Sequence, residues 1–244
     1  MNNDNVTLCW FSCGVTSAVA CYLALRDFSN CRVIYIKTGQ EHEDSFRFLK
    51  DVEQWFGHEI EIVSNDTYKS AFDVIAKTKY INGPAGARCT LELKKKVRWK
   101  IEKQVGTWER QIIGFDSSER KRAQRFSEQY PTTKAYYPLI VNSLSKEDCM
   151  AILLKHHIEI PLMYRLGFHN NNCIGCVKGG KSYWALIRKQ FPDAFNRMAK
   201  LERELGRSCI NGQFLDELPG NVSTANPLVP GCSLFCDVDF LNLT

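Results

Sequence analysis

Apolar residues occur in two different patterns along the first half of the chain, short continuous runs and helical spacing. Four short runs have the length and the β-branched content of buried strands, at residues 6–12, 31–39, 59–64 and 108–115. Between them, apolar residues recur three and four positions apart, as in amphipathic helices, at residues 16–28, 43–57, 70–78 and 92–103. Because strands alternate with helices, we predict a parallel sheet with right-handed crossovers, and we expect ligands at the carboxyl ends of its strands.

The pattern becomes mainly helical after Pro138. Helical spacing continues at residues 144–157, 181–190 and 193–205. At the start of the first of these segments, Ser145 and Asp148 have the spacing of a capping box. We therefore predict an α/β fold in two parts. Residues 1–140 form a Rossmann-like parallel sheet with helices on both faces, and residues 141–244 form a helical, Cys-rich extension.

Composition narrows the class of protein. Apolar residues make up 44% of the 244 positions and charged residues 24%, as in soluble globular proteins. No apolar run approaches the ~20 residues that span a bilayer, and no basic segment precedes an apolar one at the N-terminus. We therefore expect a cytoplasmic protein without a membrane partner.

The net charge of +5 suits an anionic ligand. Basic residues cluster at 91–100 and 118–125, where solvated helix faces are the ordinary explanation.

Small and hydroxyl-bearing residues fill the turn between the first predicted strand and the first predicted helix. They are Ser12, Cys13, Gly14, Thr16 and Ser17. Small residues let backbone N–H groups turn inward, the hydroxyls add donors, and a helix N-terminus adds partial positive charge. The turn therefore suits a pyrophosphate or phosphosulfate group. An ordinary strand-to-helix turn with an N-cap has a similar composition, so this motif alone leaves both interpretations open.

The SCGVTS segment resembles the Ser-Gly-Gly-x-x-Ser pyrophosphate loop of the adenine nucleotide α-hydrolase superfamily. Cys13 stands where glycine is usual, and Thr16 where the ATP-pyrophosphatase branch usually has aspartate. Three further segments are similar, in the same order, to the phosphoadenosine phosphosulfate reductase branch: KTGQEHEDSFRF (37–48), GARCTLELKKK (86–96) and GFDSSERKR (114–122). The resemblance implies ATP or phosphoadenosine phosphosulfate as the nucleotide, with Mg²⁺ as a companion ion of ATP.

The resemblance also implies roles for single residues. It assigns Thr38 and Gly39 to the adenine or ribose and Arg120 to the phosphates. It assigns Lys94 and Cys89 to the catalytic side chains. For each position, an ordinary surface charge or strand-end turn is the alternative interpretation.

Nine of the eleven cysteines fall into two groups, which leave out Cys13 and Cys209. Four lie in apolar, periodic segments and read as small core residues: Cys9, Cys21, Cys31 and Cys149. Five others lie in Gly-, Asn- or Pro-rich loops and are candidate metal ligands: Cys89, Cys173, Cys176, Cys232 and Cys236. Two thiolates at Cys-x-x-Cys spacing can share one metal, but the spacing alone leaves a redox dithiol, zinc and iron–sulfur open.

The resemblance favours one of these options. Related reductases and DNA phosphorothioation sulfurtransferases hold a [4Fe–4S] cluster with cysteines beside the nucleotide site. Carried to this sequence, Cys173, Cys176, Cys232 and Cys236 are the ligands, with Cys89 as the spare, and zinc bound by four cysteines is the alternative. The Glu-Cys-Gly-x-His motif of sulfonucleotide reductases has no counterpart in GCSLFCDVDF, which argues against assimilatory sulfate reduction.

Three functions remain open on the sequence. The leading one is an enzyme of nucleotide-linked sulfur chemistry, whose further partner is a nucleic-acid acceptor or a thiol reductant. The second is a non-catalytic nucleotide-binding module with a structural zinc. The third is a tRNA or DNA thiolation enzyme whose two basic clusters grip a nucleic-acid backbone.

Overall fold

The computed structural model describes residues 6–83 and 86–225, so Cys232 and Cys236 lie outside the described residues. A five-stranded sheet has the order β3-β2-β1-β4-β5. Strand β1 pairs in parallel with β2 and β4, and β4 pairs in parallel with β5. The predicted α/β fold is confirmed. The strands are β1 (Thr7–Phe11), β2 (Cys31–Lys37), β3 (Ile60–Ser64), β4 (Arg110–Ile112) and β5 (Ala135–Tyr136).

Helices connect the strands and follow the sheet. One π-helical turn, Leu91–Lys95, precedes α5, and short 3-10 turns lie at Ser117–Glu119, Pro131–Thr133 and Leu215–Glu217. The α-helices of the described residues are α1 (Val15–Asp27), α2 (Asp44–Phe56), α3 (Ala71–Thr78), α4 (Arg88–Thr90), α5 (Lys96–Val105), α6 (Arg120–Gln129), α7 (Pro138–Val141), α8 (Lys146–Lys155), α9 (Leu162–Arg165), α10 (Lys181–Gln190) and α11 (Pro192–Leu205).

Local sequence signals explain where several helices begin and end. Gly57 ends α2 in the left-handed conformation, with φ of +58°, and its N–H donates to the carbonyl oxygen of Gln54 over 3.2 Å. Ser145 caps α8 by accepting the N–H of Asp148 over 3.1 Å, and the Asp148 carboxylate accepts the N–H of Ser145 over 2.8 Å. Both boundaries follow the predicted stop and the predicted capping box.

Two compact units interleave along the chain. The first comprises Met1–Ile36, Glu43–Val63 and Arg98–Pro161. The second comprises Lys37–His42, Ser64–Val97 and Leu162–Thr244. The division at residue 140 that the change in pattern suggests stays a prediction.

Each unit has its own core. In the first, all five residues of β1 are buried, as expected for a central parallel strand covered on both faces. The cysteines predicted to be core residues, Cys9, Cys21, Cys31 and Cys149, are all buried in this unit. In the second, buried aromatic and aliphatic side chains from α3, α10 and α11 form one cluster that includes Tyr183, Trp184 and Cys176.

A chain of polar side chains runs through the core of the first unit. The indole N–H of Trp10 donates to Oε1 of Gln111 over 2.7 Å, and Nε2 of Gln111 donates to Oε1 of Glu102 over 2.8 Å. Arg98 approaches the same carboxylate, with Nε 3.4 Å from Oε1. Because Gln111 both accepts and donates, the strand side chain turns the Glu102 carboxylate away from solvent.

Among the described residues, no helix is both long enough and apolar enough to cross a membrane.

Candidate functional site

The turn after β1 gathers hydrogen-bond donors around one oxygen atom. The backbone N–H groups of Ser12 and Gly14 donate to Oγ of Ser17, over 3.1 and 3.3 Å, and the Ser12 hydroxyl lies 3.0 Å from the same atom. Gly14 is also the N-cap of α1, whose first turn contains no acidic residue and includes the half-buried Thr16. Donors that converge at a helix N-terminus form an arrangement that suits phosphate or sulfate oxygens.

Cys13 adopts a backbone conformation that favours glycine. Its φ is +59°, its side chain is buried, and its thiol donates to the carbonyl oxygen of Ser45 over 3.4 Å. A left-handed backbone at a residue with a Cβ costs on the order of 1 kcal/mol. Glycine would adopt this positive φ without that cost.

Gly114 follows β4 and lies against the start of α1. A Cβ atom at this position would lie 2.9 Å from Cα and 3.0 Å from the backbone N of Ser17, and 3.3 Å from the carbonyl carbon of Thr16. These neighbours are backbone atoms, so they have little freedom to move away. The absence of a side chain at Gly114 therefore lets the end of β4 support the loop by close packing.

Two arginines of the segment after Gly114 have different environments. Arg122 pairs with Glu119 over 2.6 Å, and its guanidinium lies over the Phe115 ring, 4.3 Å from the centroid. Arg120 is exposed, and its Nη2 donates to the carbonyl oxygen of Ile140 over 3.1 Å. Arg122 therefore stabilises the local fold, whereas the role of Arg120 at a phosphate stays a proposal.

In the second unit, the turn after β2 holds the CIGC loop. Oγ1 of Thr38 lies 3.1 Å from Sγ of Cys173. Nε2 of Gln40 donates to the carbonyl oxygen of Ile174 over 2.6 Å, and the N–H of Ile174 donates to the carbonyl oxygen of Gln40 over 2.8 Å. The structure thus brings together two segments that the sequence assigned to different ligands, one to a nucleotide and one to a metal.

The turn itself is held in one conformation. Gly39 has φ of +75°, and a Cβ atom there would lie 1.8 Å from the carbonyl oxygen of Lys69, so only glycine fits. The Glu41 carboxylate accepts the hydroxyl of Thr38 over 2.7 Å and the N–H of Gln40 over 3.0 Å. These bonds fix Thr38 and Gln40 relative to each other.

A single buried hydroxyl bridges the backbone of the CIGC loop. The N–H of Cys176 donates to Oη of Tyr183, and the Tyr183 hydroxyl donates to the carbonyl oxygen of Cys173, both over 2.8 Å. Burial is the main cause that raises the pKa of Tyr183. Gly175 has φ of +77°, and a Cβ atom there would lie 3.4 Å from the Trp184 ring. The Tyr183 hydroxyl and the turn at Gly175 therefore fix the backbone that separates Cys173 from Cys176.

Cys89 and Lys94 lie on consecutive turns of an irregular helical segment. Half-buried Cys89 belongs to α4, and Lys94 belongs to the π-helical turn. The buried Glu92 of that turn pairs with Arg88 over 2.8 Å and with Lys96 over 2.7 Å. A π turn inside a helix is a common feature of functional sites, and here a buried carboxylate with two cations stabilises it.

A family model described as the phosphoadenosine phosphosulfate reductase domain matches residues 7–179. The chain belongs to the phosphoadenosine phosphosulfate reductase family. The match spans the four segments that carry the resemblance, and it continues through the CIGC loop of this family member. No curated protein matches the chain.

Two solved structures are similar to this family member. One is the phosphoadenylyl-sulfate (PAPS) reductase from Candida auris in a phosphate complex, with a TM-score of 0.49 and 12% identity, over 69% of this chain and 79% of that one. The other is the U34-tRNA thiolase NcsA from Methanococcus maripaludis with its [4Fe-4S] cluster, with a TM-score of 0.41 and 15% identity, over 85% of this chain and 73% of that one.

The cysteines of the described residues are neither paired in disulfides nor gathered into a metal-binding group. The nine cysteines of the described residues form no disulfide. Within residues 6–83 and 86–225, no group of three or more His, Cys, Asp or Glu side chains is placed to hold a metal ion. Cys209 is buried in the second unit, where burial and then the Glu202 carboxylate raise the pKa of its thiol.

Two residues that shape the CIGC loop are not among the site residues predicted from the sequence. Gln40 lies inside the segment at residues 37–48, but its partner Ile174 is distant in the chain. Tyr183 follows the loop at the start of α10, where an aromatic residue reads as ordinary core. Neither position carries a local signal for its hydrogen bonds.

The backbone of Cys13 yields the first prediction. Cys13→Gly removes the strain of a positive φ, so we expect its free energy of unfolding to stay within about 1 kcal/mol of the parent value. Cys13→Val puts a β-branched residue into the same conformation, and we expect it to be less stable than the glycine variant by about 2 kcal/mol. Urea unfolding of both variants measures the difference, and equal stabilities would show that the loop does not require the left-handed backbone.

The hydrogen bonds of the Tyr183 hydroxyl to the CIGC loop yield the second prediction. Tyr183→Phe leaves the Cys176 N–H without its partner inside a buried loop, so we expect a loss of about 1–3 kcal/mol and faster reaction of Cys173 with a thiol reagent. Tyr136→Phe, which removes a hydroxyl from β5, is the matched control. Unfolding and thiol-labelling rates are the measurements, and equal behaviour of the two variants would contradict the bridge.

Proposed function

We propose that this protein is an enzyme of nucleotide-linked sulfur chemistry that binds the phosphates of ATP or phosphoadenosine phosphosulfate in the turn at residues 12–17. The observation that carries the proposal is the convergence of two backbone N–H groups and the Ser12 hydroxyl on one oxygen at the start of α1. The family match supports an adenine nucleotide as the source of the anionic group.

The electrostatics of the turn favour an anion. The partial positive charge at the N-terminus of α1 lies where the N–H groups converge, and no acidic side chain in the first turn offsets it. Oriented backbone donors also keep their geometry when an anion binds, so little reorganisation is needed. Where ATP is the nucleotide, Mg²⁺ would arrive with its phosphates, with Thr16 at the position that usually carries aspartate.

The thiols of the second unit supply the sulfur-handling groups of the proposal. Cys173 and Cys176 suit a thiolate-bound metal, because their loop has a fixed backbone and the Thr38 hydroxyl lies 3.1 Å from the Cys173 sulfur. A [4Fe–4S] cluster with these two cysteines, and with Cys232, Cys236 or Cys89 as further ligands, would supply iron for sulfur binding or electron transfer.

The roles of several other residues stay proposals. Thr38 and Gly39 are candidates for nucleotide contacts, Arg120 and Lys94 for cations at anionic groups, and Cys89 for a thiol that carries sulfur. In one version the enzyme adenylates an acceptor for thiolation. In the other it reduces an activated sulfate with electrons from a thiol reductant.

A second candidate function is a non-catalytic nucleotide-binding module with a structural zinc. The strained Cys13 in the loop favours it, because a side chain occupies the position of closest phosphate approach in the loops that this one resembles. Zinc bound by cysteines would then hold the CIGC loop without chemistry of its own.

Nucleotide binding yields the third prediction. At 100 times the dissociation constant, ATP or phosphoadenosine phosphosulfate should stabilise the protein by about 2.7 kcal/mol, seen as a rise in melting temperature. Ser12→Ala removes one hydroxyl donor to a charged group and should weaken binding about 10-fold or more. The exposed Ser29 gives the control Ser29→Ala. If neither nucleotide raises the melting temperature, the proposed function fails.

The metal content of the protein yields the fourth prediction, and it distinguishes the sulfur-chemistry enzyme from the non-catalytic module. Anaerobically purified protein should contain iron and sulfide and absorb near ~400 nm if it carries a cluster. Colourless protein with one zinc per chain would support the structural module instead. Replacing Cys173 by serine should release either metal, whereas Cys149→Ser, in the core of the first unit, should leave the metal content unchanged.

A further inference from the structure

The residue before the CIGC loop carries a buried hydrogen-bond donor. Nδ2 of Asn172 is buried, and it has no hydrogen-bond partner among the residues that the structure describes. Asn172 directly precedes Cys173. Most buried polar groups in proteins are bonded, because a buried donor without a partner costs about 1–3 kcal/mol. A group with an acceptor atom that binds beside Cys173 would remove this cost.

The backbone of the same loop is bonded to protein groups. The Tyr183 hydroxyl joins the N–H of Cys176 to the carbonyl oxygen of Cys173, each over 2.8 Å. Gln40 bonds to Ile174 through its side chain over 2.6 Å and through its backbone over 2.8 Å. The loop around Asn172 is therefore well packed, so a loose local structure does not explain the unpartnered amide.

Thr38 provides a second polar hydrogen near Cys173, but a carboxylate shares it. Oγ1 of Thr38 lies 3.1 Å from Sγ of Cys173 and donates to the Glu41 carboxylate over 2.7 Å. A hydroxyl has only one proton to donate. A metal-bound thiolate has lost its own proton and accepts hydrogen bonds, so it competes with Glu41 for the proton of Thr38. A donor that is not shared with the carboxylate would stabilise such a sulfur more.

The amide of Asn172 fits this requirement. An amide nitrogen carries two N–H donors, and a thiolate or an inorganic sulfide accepts more than one hydrogen bond. Consecutive Cα atoms are about 3.8 Å apart, so the Asn172 side chain can reach a group that is bound to Cys173. Donors around metal-bound ligands hold those ligands in place and reduce the negative charge on sulfur. Metal-bound sulfur is thus an acceptor that suits the buried amide.

We propose that Asn172 is a positioning residue of the metal site, and that its side-chain amide donates a hydrogen bond to metal-bound sulfur at Cys173. This proposal rests on the thiolate-bound metal of the proposed function, and it adds a residue that is not among the predicted ligands. The hydrogen bond slows the release of the metal. In an iron–sulfur site it also favours the reduced state, because that state carries more negative charge on sulfur.

The test uses two variants of Asn172 in the full chain, purified anaerobically. Asn172→Asp keeps the shape and Asn172→Leu keeps most of the volume, and the aspartate carboxylate and the leucine side chain both lack the donor. Each should release the metal that the parent contains, iron or zinc, about 10-fold faster to an excess of chelator. Asn221→Asp makes the same charge change at an exposed position of the second unit and should release the metal at the parent rate.

A spectroscopic or redox readout separates positioning from a purely structural role. If the metal is iron, Asn172→Leu should have a lower reduction potential than the parent. If it is zinc, the sulfur-to-metal charge-transfer band of the cobalt-substituted protein should move to longer wavelength in Asn172→Leu. Both changes follow from the loss of a donor to sulfur, which leaves more negative charge on the sulfur atom.

Several results would overturn the proposal. They are release from both Asn172 variants at the parent rate, equally fast release from Asn221→Asp, and faster release without a change in the potential or the band. A parent protein without metal would overturn it together with the metal part of the proposed function. The nucleotide-induced rise in melting temperature, measured on the same proteins, tests the loop at residues 12–17 separately. Failure at Asn172 alone is thereby distinguished from failure of the proposed function.

Discussion

In the turn between β1 and α1, the hydroxyl oxygen of Ser17 accepts hydrogen bonds from two backbone N–H groups. The proposed binding of nucleotide phosphates depends on this convergence of donors. Two unusual backbone features make it possible. Cys13 turns the chain through a left-handed conformation, and Gly114 lets the end of β4 approach the backbone of the same turn. The turn is thus shaped by packing within the first unit, and its donors are oriented in advance for an anion.

The CIGC loop of the second unit follows the same principle with different means. Backbone groups that would otherwise be buried without partners are satisfied by Tyr183 and by the side chain of Gln40. Because the Tyr183 hydroxyl and the Gln40 side chain bond to the backbone of this loop, the loop that carries the two thiols has a defined conformation. A metal ligand set benefits from this arrangement, since little entropy is lost when the metal binds.

Local signals were sufficient for the parts of the fold that depend on local physics. The strand and helix periodicities, the stop at Gly57 and the capping box at Ser145 all follow from residues near each other in sequence. The two-residue strand β5 has too few positions to show a period, so it was not predicted. The basic segment 118–125 read as a charge cluster, but Arg122 is mostly buried against Phe115 and Glu119.

The candidate sites divide in the same way. Ser12, Gly14 and Ser17 could be selected from the sequence, because a phosphate-binding turn uses neighbouring residues. The contact of Thr38 with Cys173 and the bridge by Tyr183 could not, because they depend on how distant segments pack. Glu102 shows the same limit: its charge is visible in the sequence, but only the partner Gln111 turns it away from the helix surface.

A structure of the protein with ATP or phosphoadenosine phosphosulfate bound would test the central claim most directly. We predict a phosphate or sulfate oxygen within hydrogen-bond distance of the N–H groups of Ser12 and Gly14, in the position that the Ser17 hydroxyl oxygen now holds relative to those donors. A nucleotide bound elsewhere, with these N–H groups still directed at Ser17, would contradict it.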